Sequence, residues 1–365
     1  MKKKQVALVY DWVDKWGGVE RLLLALHSMF PHAPLYTSFH NKHHAQWAKD
    51  FDIRPSYMQY LPEFIRNNRK LSVPFLGRAF EQFDFSSFDT VISVSSSFAK
   101  GIITKPETQH IGIILTPTRY IWGQQTQYGN NGLIAQMIAN DLRSWDYIAA
   151  QRPDKLIAIS NCVRDRIATY YRRDSHVVYP PFDSSYWSKI KTSSARKPAD
   201  YYLVVSRLEP YKSIEIVIDA FARMPDKKLI VVGTGSVEHN LRARAGMNVT
   251  FTGHVSDDML ADYYTHARAL IMPQEEDFGY VALEAQYFGS PVIAFASGGA
   301  LETVLEGKTG TFYNVNTAET LQNTVEKFHI VSYNYKNNLK TIGQEWLEQF
   351  EIKKFSDTLS SIISI

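Results

Sequence analysis

Glu276 and Glu284 stand eight residues apart with Gly279 between them, and two cations, Arg207 and Lys212, stand five residues apart earlier in the chain. Each pair follows a short apolar run, Ala269-Leu270-Ile271-Met272 in one case and Tyr201-Tyr202-Leu203-Val204-Val205 in the other. A buried strand, then a loop with a carboxylate and a glycine, then a helix with a second carboxylate, is how an open α/β sheet builds a ligand crevice at its strand ends. Glycine at 279 lets backbone approach a ligand closely, and the helix start beyond it offers unpaired N–H groups to an anion such as a diphosphate. Glu276 can then reach the hydroxyls of a group held at the loop, and Glu284, further along the helix, those of a second moiety such as a ribose. Arg207 and Lys212 can hold one diphosphate between them, arginine as a fork and lysine as a point charge. Singly, each of these letters also suits a surface loop or a solvated helix face. In combination they point to a site for a diphosphate flanked by hydroxylated groups.

The elements that must position these residues are legible as alternating strands and helices. Gln5 to Tyr10 reads as a buried first strand, and Gly17-Gly18 as a turn opening a helix from Val19 to Leu26, either a tight βα connection or an anion loop. Further strands are expected at 90–94, 111–115 and 155–160, with a helix from Asn161 to near Tyr171. Pro180-Pro181 and the lysine- and serine-rich residues 184–200 read as a linker. A second series follows, with strands at 201–205, 229–232, 249–252 and 292–295, Ser213 and Ser256 as helix caps, and glycine turns at 233–235 and 298–299. Such alternation predicts parallel sheets covered by helices on both faces. The expected domains are 1–183, to which a C-terminal helix at about 345–365 returns, and 201–344.

Length and composition bound the alternatives. A chain of 365 residues is long for one hydrophobic core, so two domains are the default. No run of eighteen apolar residues occurs, which argues against a transmembrane helix, and Lys2-Lys3-Lys4 leads into a strand-length run rather than a signal peptide. One cysteine, Cys162, leaves no internal disulfide and fits a reducing, cytoplasmic setting. The net charge of +3 divides unevenly: residues 1–183 hold 22 Lys and Arg against 16 Asp and Glu, the remainder 18 against 21. That bias suits an anionic surface or substrate and is too mild for a nucleic-acid partner. Between the first strands, residues 57–85 mix Tyr57, Tyr60, Phe64, Phe75 and Phe80 with Arg66, Arg69, Lys70 and Arg78. Such a stretch can lie on an anionic bilayer surface or supply a core helix with solvated arginines.

With the Gly17-Gly18 turn, Ser206-Arg207-Leu208 to Lys212, Gly253-His254-Val255, the Glu276 to Glu284 pair and Gly298-Gly299 with Glu302 in this order, the chain resembles the retaining glycosyltransferases of family 4. The resemblance spans nearly the whole length. Thr116-Pro117-x-Arg119-Tyr120-x-Trp122, Arg143-x-Trp145-Asp146 and Tyr179-Pro180-Pro181 make it most similar to the bacterial polysaccharide mannosyltransferases of that family. The resemblance implies a GT-B architecture, two Rossmann-like domains facing across a cleft, with a nucleotide-sugar donor, GDP-linked by preference, held mainly by the second. Arg207 and Lys212 would neutralise the diphosphate, Glu284 would bind the ribose, and Glu276 with the backbone at Phe278 and Gly279 would hold the transferred sugar. Gly17 and Gly18 would close over the phosphates, His254 and Val255 would lie near the base, and Arg119 belongs to the shared pattern of the first domain. No Asp-x-Asp pair stands among the motifs that carry the resemblance, so no metal and no cofactor beyond the donor itself is expected. The acceptor would be a glycan or lipid-linked glycan.

Where many relatives have His-Thr-Pro, this chain has Leu115-Thr116-Pro117. An apolar wall in place of a hydrogen-bond donor disfavours a hydroxyl and accepts a methyl group, which suggests a 6-deoxy sugar; Leu115 as plain strand core is the other reading. A nucleotide-sugar epimerase of the same fold and a catalytically silent nucleotide-binding partner are the alternatives to transfer.

Overall fold

A computed structural model describes residues 4–122, 133–192, 200–331 and 339–363. The chain divides into two compact units, Met1–Pro181 with Phe355–Ile365, and Phe182–Lys354.

The first unit is built on a seven-stranded sheet of β1 (Val6–Tyr10), β2 (Leu35–Thr37), β3 (Ile53–Pro55), β4 (Thr90–Ser95), β5 (Gln109–Ile114), β6 (Lys155–Ala158) and β7 (His176–Val177). Its order is β3-β2-β1-β4-β5-β6-β7, and every pairing is parallel. The central strands are apolar along their length because a parallel sheet is covered on both faces. Every residue of β1 is buried, in register with β4 from Val6 opposite Thr90 to Tyr10 opposite Val94. The helix Gly18–Met29 follows β1 and buries Leu22, Leu23, Ala25 and Leu26.

The aromatic and basic stretch serves both core and surface. Met58, Leu76 and Phe80 pack with Ala7, Val9 and Val91 of the sheet, while Tyr60 is 90% and Phe64 66% exposed.

The second unit holds six parallel strands, β8 (Tyr201–Val205), β9 (Lys228–Val232), β10 (Val249–Gly253), β11 (Leu270–Met272), β12 (Val292–Phe295) and β13 (Gly310–Tyr313), in the order β10-β9-β8-β11-β12-β13. Tyr202, Val204, Val231 and Ile271 of this sheet pack against Ile214, Val217 and Phe221 of the helix Ile214–Ala222.

Two local expectations change. Ser213 does precede a helix, but its backbone is left-handed (φ 52°) and its side chain makes no cap. A left-handed residue ends the turn Pro210–Lys212 before the helix begins, so the hydroxyl is turned away from the role that Ser256 fills by accepting from the Met259 N–H. Within the linker stretch, Ser184–Ser188 form a short helix capped by Asp183, with Trp187 buried; residues 193–199 lie outside the described residues. Near the C-terminus the helix Leu339–Leu347 belongs to the second unit, and the chain rejoins the first at Phe355. There Phe355, Leu359 and Ile363 are buried, and Lys155 Nζ donates to the Ile362 carbonyl at 2.6 Å. No described helix is long and apolar enough to cross a membrane.

In both sheets the strand order reverses beside the first strand, β1 lying between β2 and β4, and β8 between β9 and β11. Loops leaving the two central strands diverge at such a point and open a crevice at their carboxyl ends.

Candidate active site

In the second unit the crevice is framed by the loops after β8 and β11. The turn 233–235 at the end of β9 lies directly against the loop that carries Arg207. Gly233 has φ 126°, and a Cβ there would sit 1.9 Å from the Ser206 carbonyl oxygen, so only glycine fits. The Leu208 N–H donates to the Thr234 carbonyl at 2.9 Å. Arg207 is exposed and donates from Nη2 to the Tyr211 hydroxyl at 2.6 Å. The Tyr211 ring also lies 5.3 Å from the ammonium of Lys212.

Lys212, only 8% exposed, forms an ion pair with Oε1 of Glu276. That contact joins the β8 loop to the β11 loop across the point where the strand order reverses. The same Glu276 oxygen accepts from Gln274 Nε2 at 2.8 Å. The Glu276 backbone is fixed from the β12 side, where Gly299 N–H donates to its carbonyl at 2.7 Å. A Cβ at Gly298 would lie 2.3 Å from that carbonyl oxygen, and one at Gly299 would lie 2.4 Å from the carbonyl of Phe278. The glycine pair is therefore what lets the β12 loop lie along residues 276–278.

Gly279, with φ 98°, precedes the helix Tyr280–Tyr287 and accepts at its carbonyl from the Ala282 N–H at 3.0 Å; the first N–H groups of a helix have no partner within it. Glu284, on that helix, is 3% exposed and accepts from the Tyr264 hydroxyl at 2.8 Å. The Phe278 side chain is core, packed on Tyr280 and Phe350, so what this residue offers a ligand is backbone. Gly253 (φ 70°) ends β10, and its carbonyl accepts from Gly233 N–H at 2.8 Å. His254 beyond it is exposed and Val255 half-buried, two strands away from β8. Lys212 and Glu276 thus meet directly, Arg207 joins them through Tyr211, and Glu284 is tied to a neighbouring helix.

The first unit holds Gly17, Gly18, Leu115 and Arg119. Gly17 and Gly18 form the exposed turn at the start of the helix Gly18–Met29. Glu20, one turn in, is 4% exposed; its Oε2 has no hydrogen-bond partner, and burial pushes its carboxyl up to about 7. Leu115 is buried and prolongs the β4–β5 ladder through its N–H to the Ser95 carbonyl at 2.9 Å. Arg119 opens the short helix Arg119–Trp122.

The letters around Arg119 resolve into a buried frame. Asp146 pairs with Lys100 and accepts from Thr118 Oγ1 at 2.8 Å, Trp122 Nε1 at 2.6 Å and the Tyr171 hydroxyl at 2.8 Å. Arg143 Nε donates to the Ile121 carbonyl at 3.0 Å. Trp145 lies so close to Gly101 that a Cβ there would meet its ring at 2.7 Å.

Four residues, three in the second unit and Glu20 in the first, carried no sequence signal. Tyr211, Gln274, Tyr264 and Glu20 acquire meaning only from what the fold sets beside them. Buried Asp11 is a fifth: it accepts from the backbone N–H groups of Ser96, Phe98 and Ala99 at 2.7, 2.8 and 2.7 Å, and its place at the end of β1 marked only where the strand turns polar.

A cavity lined by Ser184, Ser185, Ser188, Tyr287, Gln344, Leu347 and Glu351 shares no residue with this cluster.

Residues 186–346 match the family model "Glycosyl transferases group 1". The sulfoquinovosyl transferase SQD2 of Arabidopsis thaliana is 30% identical over 151 residues, 40% of this chain and 29% of that protein. A GDP-mannose-dependent alpha-(1-6)-phosphatidylinositol monomannoside mannosyltransferase of Mycolicibacterium smegmatis is 29% identical over 198 residues, 47% of this chain and 52% of its own length. The chain thus spans about a third to about a half of these curated relatives. Among solved structures, Anabaena Alr3699/HepE in complex with UDP-glucose superposes with a TM-score of 0.70 at 18% identity, covering 99% of this chain and 100% of that one. The fold is GT-B, and the match to glycosyl transferases group 1 falls on the unit that holds Arg207, Lys212, Glu276 and Glu284.

Proposed function

We propose that the protein is a retaining glycosyltransferase of family 4 that moves a hexose from a nucleoside-diphosphate sugar to a hydroxyl of a glycan or lipid-linked glycan in bacterial surface-polysaccharide synthesis. The observation that carries this reading is the Lys212–Glu276 pair bridging the β8 and β11 loops, with Arg207 held beside it by Tyr211. A diphosphate and a polyhydroxylated sugar are the ligand that uses both cations and both carboxylates.

In the reaction, the bond from the sugar's anomeric carbon to the β-phosphate oxygen breaks as the acceptor oxygen bonds to the same face of that carbon. The acceptor proton passes to the departing phosphate. Arg207, Lys212 and the helix start at Tyr280 stabilise the leaving diphosphate, as preorganised charges and dipoles do, so that no divalent ion is required. Glu276 and Glu284 position the sugar and the ribose, and the two-carboxylate scheme of glycoside hydrolysis does not apply to them.

A GDP-linked donor is favoured by the similarity to an enzyme named for GDP-mannose; the sugar is mannose or, if Leu115 faces its sixth carbon, a 6-deoxyhexose. The exposed Tyr60 and Phe64, near Arg66 and Lys70 in sequence, supply a contact for an anionic membrane surface that would carry a lipid-linked acceptor.

A thermal-shift screen with GDP, UDP, dTDP and their sugar conjugates in EDTA tests the reading. A ligand at ~100 times its dissociation constant stabilises by roughly 2.7 kcal/mol. Stabilisation by one nucleotide family that disappears in Arg207→Ala and weakens in Glu284→Gln is expected. No response to any nucleotide would overturn the reading, and binding without turnover of any conjugate would leave a silent nucleotide-binding protein.

A further inference from the structure

We infer that Gln274 is a positioning residue whose amide keeps the Glu276 carboxylate aimed at the transferred sugar once the donor diphosphate has drawn Lys212 away. The inference rests on the function proposed above.

Gln274 follows β11 and is 2% exposed. Its Nε2 donates to Glu276 Oε1 at 2.8 Å, and that oxygen also accepts from Lys212. A carboxylate only accepts, so the amide must present its NH2 group and turn its oxygen elsewhere. That oxygen, Gln274 Oε1, is buried without a hydrogen-bond partner. An unmet buried amide oxygen is unfavourable, and an apolar side chain of similar volume would avoid it. Packing therefore does not explain a glutamine here; the hydrogen bond to Glu276 does.

The backbone on either side is already fixed. Asn316 Nδ2 donates to the Pro273 carbonyl at 2.9 Å, and Asn316 Oδ1 accepts from the Tyr313 hydroxyl at 3.2 Å. Three residues on, Gly299 holds the Glu276 carbonyl. The Glu276 side chain is thus the part left to be oriented, and two donors of different kinds share its Oε1.

Lys212 is a cation and exchanges a carboxylate for a phosphate when a diphosphate arrives. The Gln274 amide is neutral, gains little from a phosphate, and stays. It holds the carboxylate while its former ion-pair partner moves to the leaving group.

Gln274→Met keeps the volume and removes the amide, and Gln274→Glu keeps the shape and sets one carboxylate against another. Each would be compared with the wild type for thermal stabilisation by GDP and UDP, for the extra stabilisation given by their sugar conjugates, and for kcat and KM with the active conjugate. Gln274→Met is expected to bind the bare nucleotide as the wild type does, Gln274→Glu to bind it more weakly because its added carboxylate competes for Lys212, and both to lose the extra stabilisation from the sugar. Turnover should fall roughly 10- to 100-fold, as loss of a hydrogen bond to a charged group does. A folded variant, of either kind, with wild-type discrimination between conjugate and nucleotide and wild-type kcat overturns the inference. If the wild type itself binds no nucleotide, the proposed function fails and the inference falls with it; wild-type binding with unchanged variants sinks the inference alone.

Discussion

Asp11 and Glu276 are carboxylates beside the order reversals of two sheets, Asp11 just beyond β1, the first strand of its sheet, and Glu276 beyond β11, which takes in its sheet the place that β4 takes beside β1. Their surroundings differ in kind. Asp11 is fully buried and faces the backbone N–H groups of Ser96, Phe98 and Ala99 and the hydroxyl of Ser96. Glu276 is half-buried and faces the Lys212 ammonium and the Gln274 amide. The first carboxylate fixes a loop of its own unit; the second holds the Lys212 ammonium, which on the function proposed above an incoming anion takes. Lys100 extends the contrast, since its partner Asp146 is surrounded by three further donors in a buried cluster. Asp11 and Asp146 spend their charge on groups of their own unit's framework, whereas on the function proposed above the Lys212–Glu276 pair opens to a ligand. One topology therefore supports both uses, and side chains in the loops decide which.

The sharpest way to break this comparison is to remove framework charge. Asp146→Ala leaves Lys100 buried without its carboxylate and Thr118, Trp122 and Tyr171 without their acceptor. A destabilisation of about 3–5 kcal/mol is expected, as when one partner of a buried ion pair is deleted. Urea unfolding measures it, and a loss below about 1 kcal/mol would show that the cluster does not hold the first unit together.

Glu20 gives the next effect and a pH signature. Burial raises its carboxyl from 4.5 to about 7, so the folded protein holds this proton more tightly than the unfolded chain. The resulting stability is fully present below about 4.5 and is lost as pH rises through about 7. At about 1.36 kcal/mol per unit the whole effect is about 3 kcal/mol. Glu20→Gln carries no charge there, so it should match the wild type near pH 4 and exceed it by about 2–3 kcal/mol at pH 8. Other groups tilt the same curve, Asp11 and His110 among them. Asp11 is also raised by burial, and His110 is lowered to about 3 by burial and opposes folding as pH falls below its ordinary value. Both remain in wild type and variant alike, so the difference between the two melting curves isolates Glu20. Parallel curves at every pH would remove the argument.

The framework and the exchangeable site were not equally readable from sequence. Strand runs such as 5–10 and 201–205 could be read because parallel strands must be apolar on both faces, and Arg207, Lys212 and Glu276 because each follows such a run within a few residues. The aromatic stretch 57–85 could not be assigned to core or surface because its residues divide between the two, Phe80 inward and Phe64 outward. Ser213 has the letter of a cap, but only the backbone reveals a left-handed residue that cannot cap. Gln274 is silent in sequence because its role depends on a carboxylate two residues away being shared with a lysine more than sixty residues earlier. Long-range pairing of that kind leaves no local pattern.

Arg207→Ala should have the smallest effect on stability and so tests the other half of the comparison. Its side chain is exposed, and its hydrogen bond to Tyr211 joins two exposed side-chain atoms; interactions of that kind contribute little, and exposed substitutions usually stay within about 0.5 kcal/mol. The unliganded melting curve should therefore be nearly unchanged. If the guanidinium is there to meet a diphosphate, the stabilisation that a nucleotide gives the wild type should be largely lost, because that interaction exists only in the complex. A variant that melts like the wild type both alone and with nucleotide would separate Arg207 from the site. A variant already destabilised without ligand would make Arg207 framework, and the contrast between the two units would then rest on Lys212 and Glu276 alone.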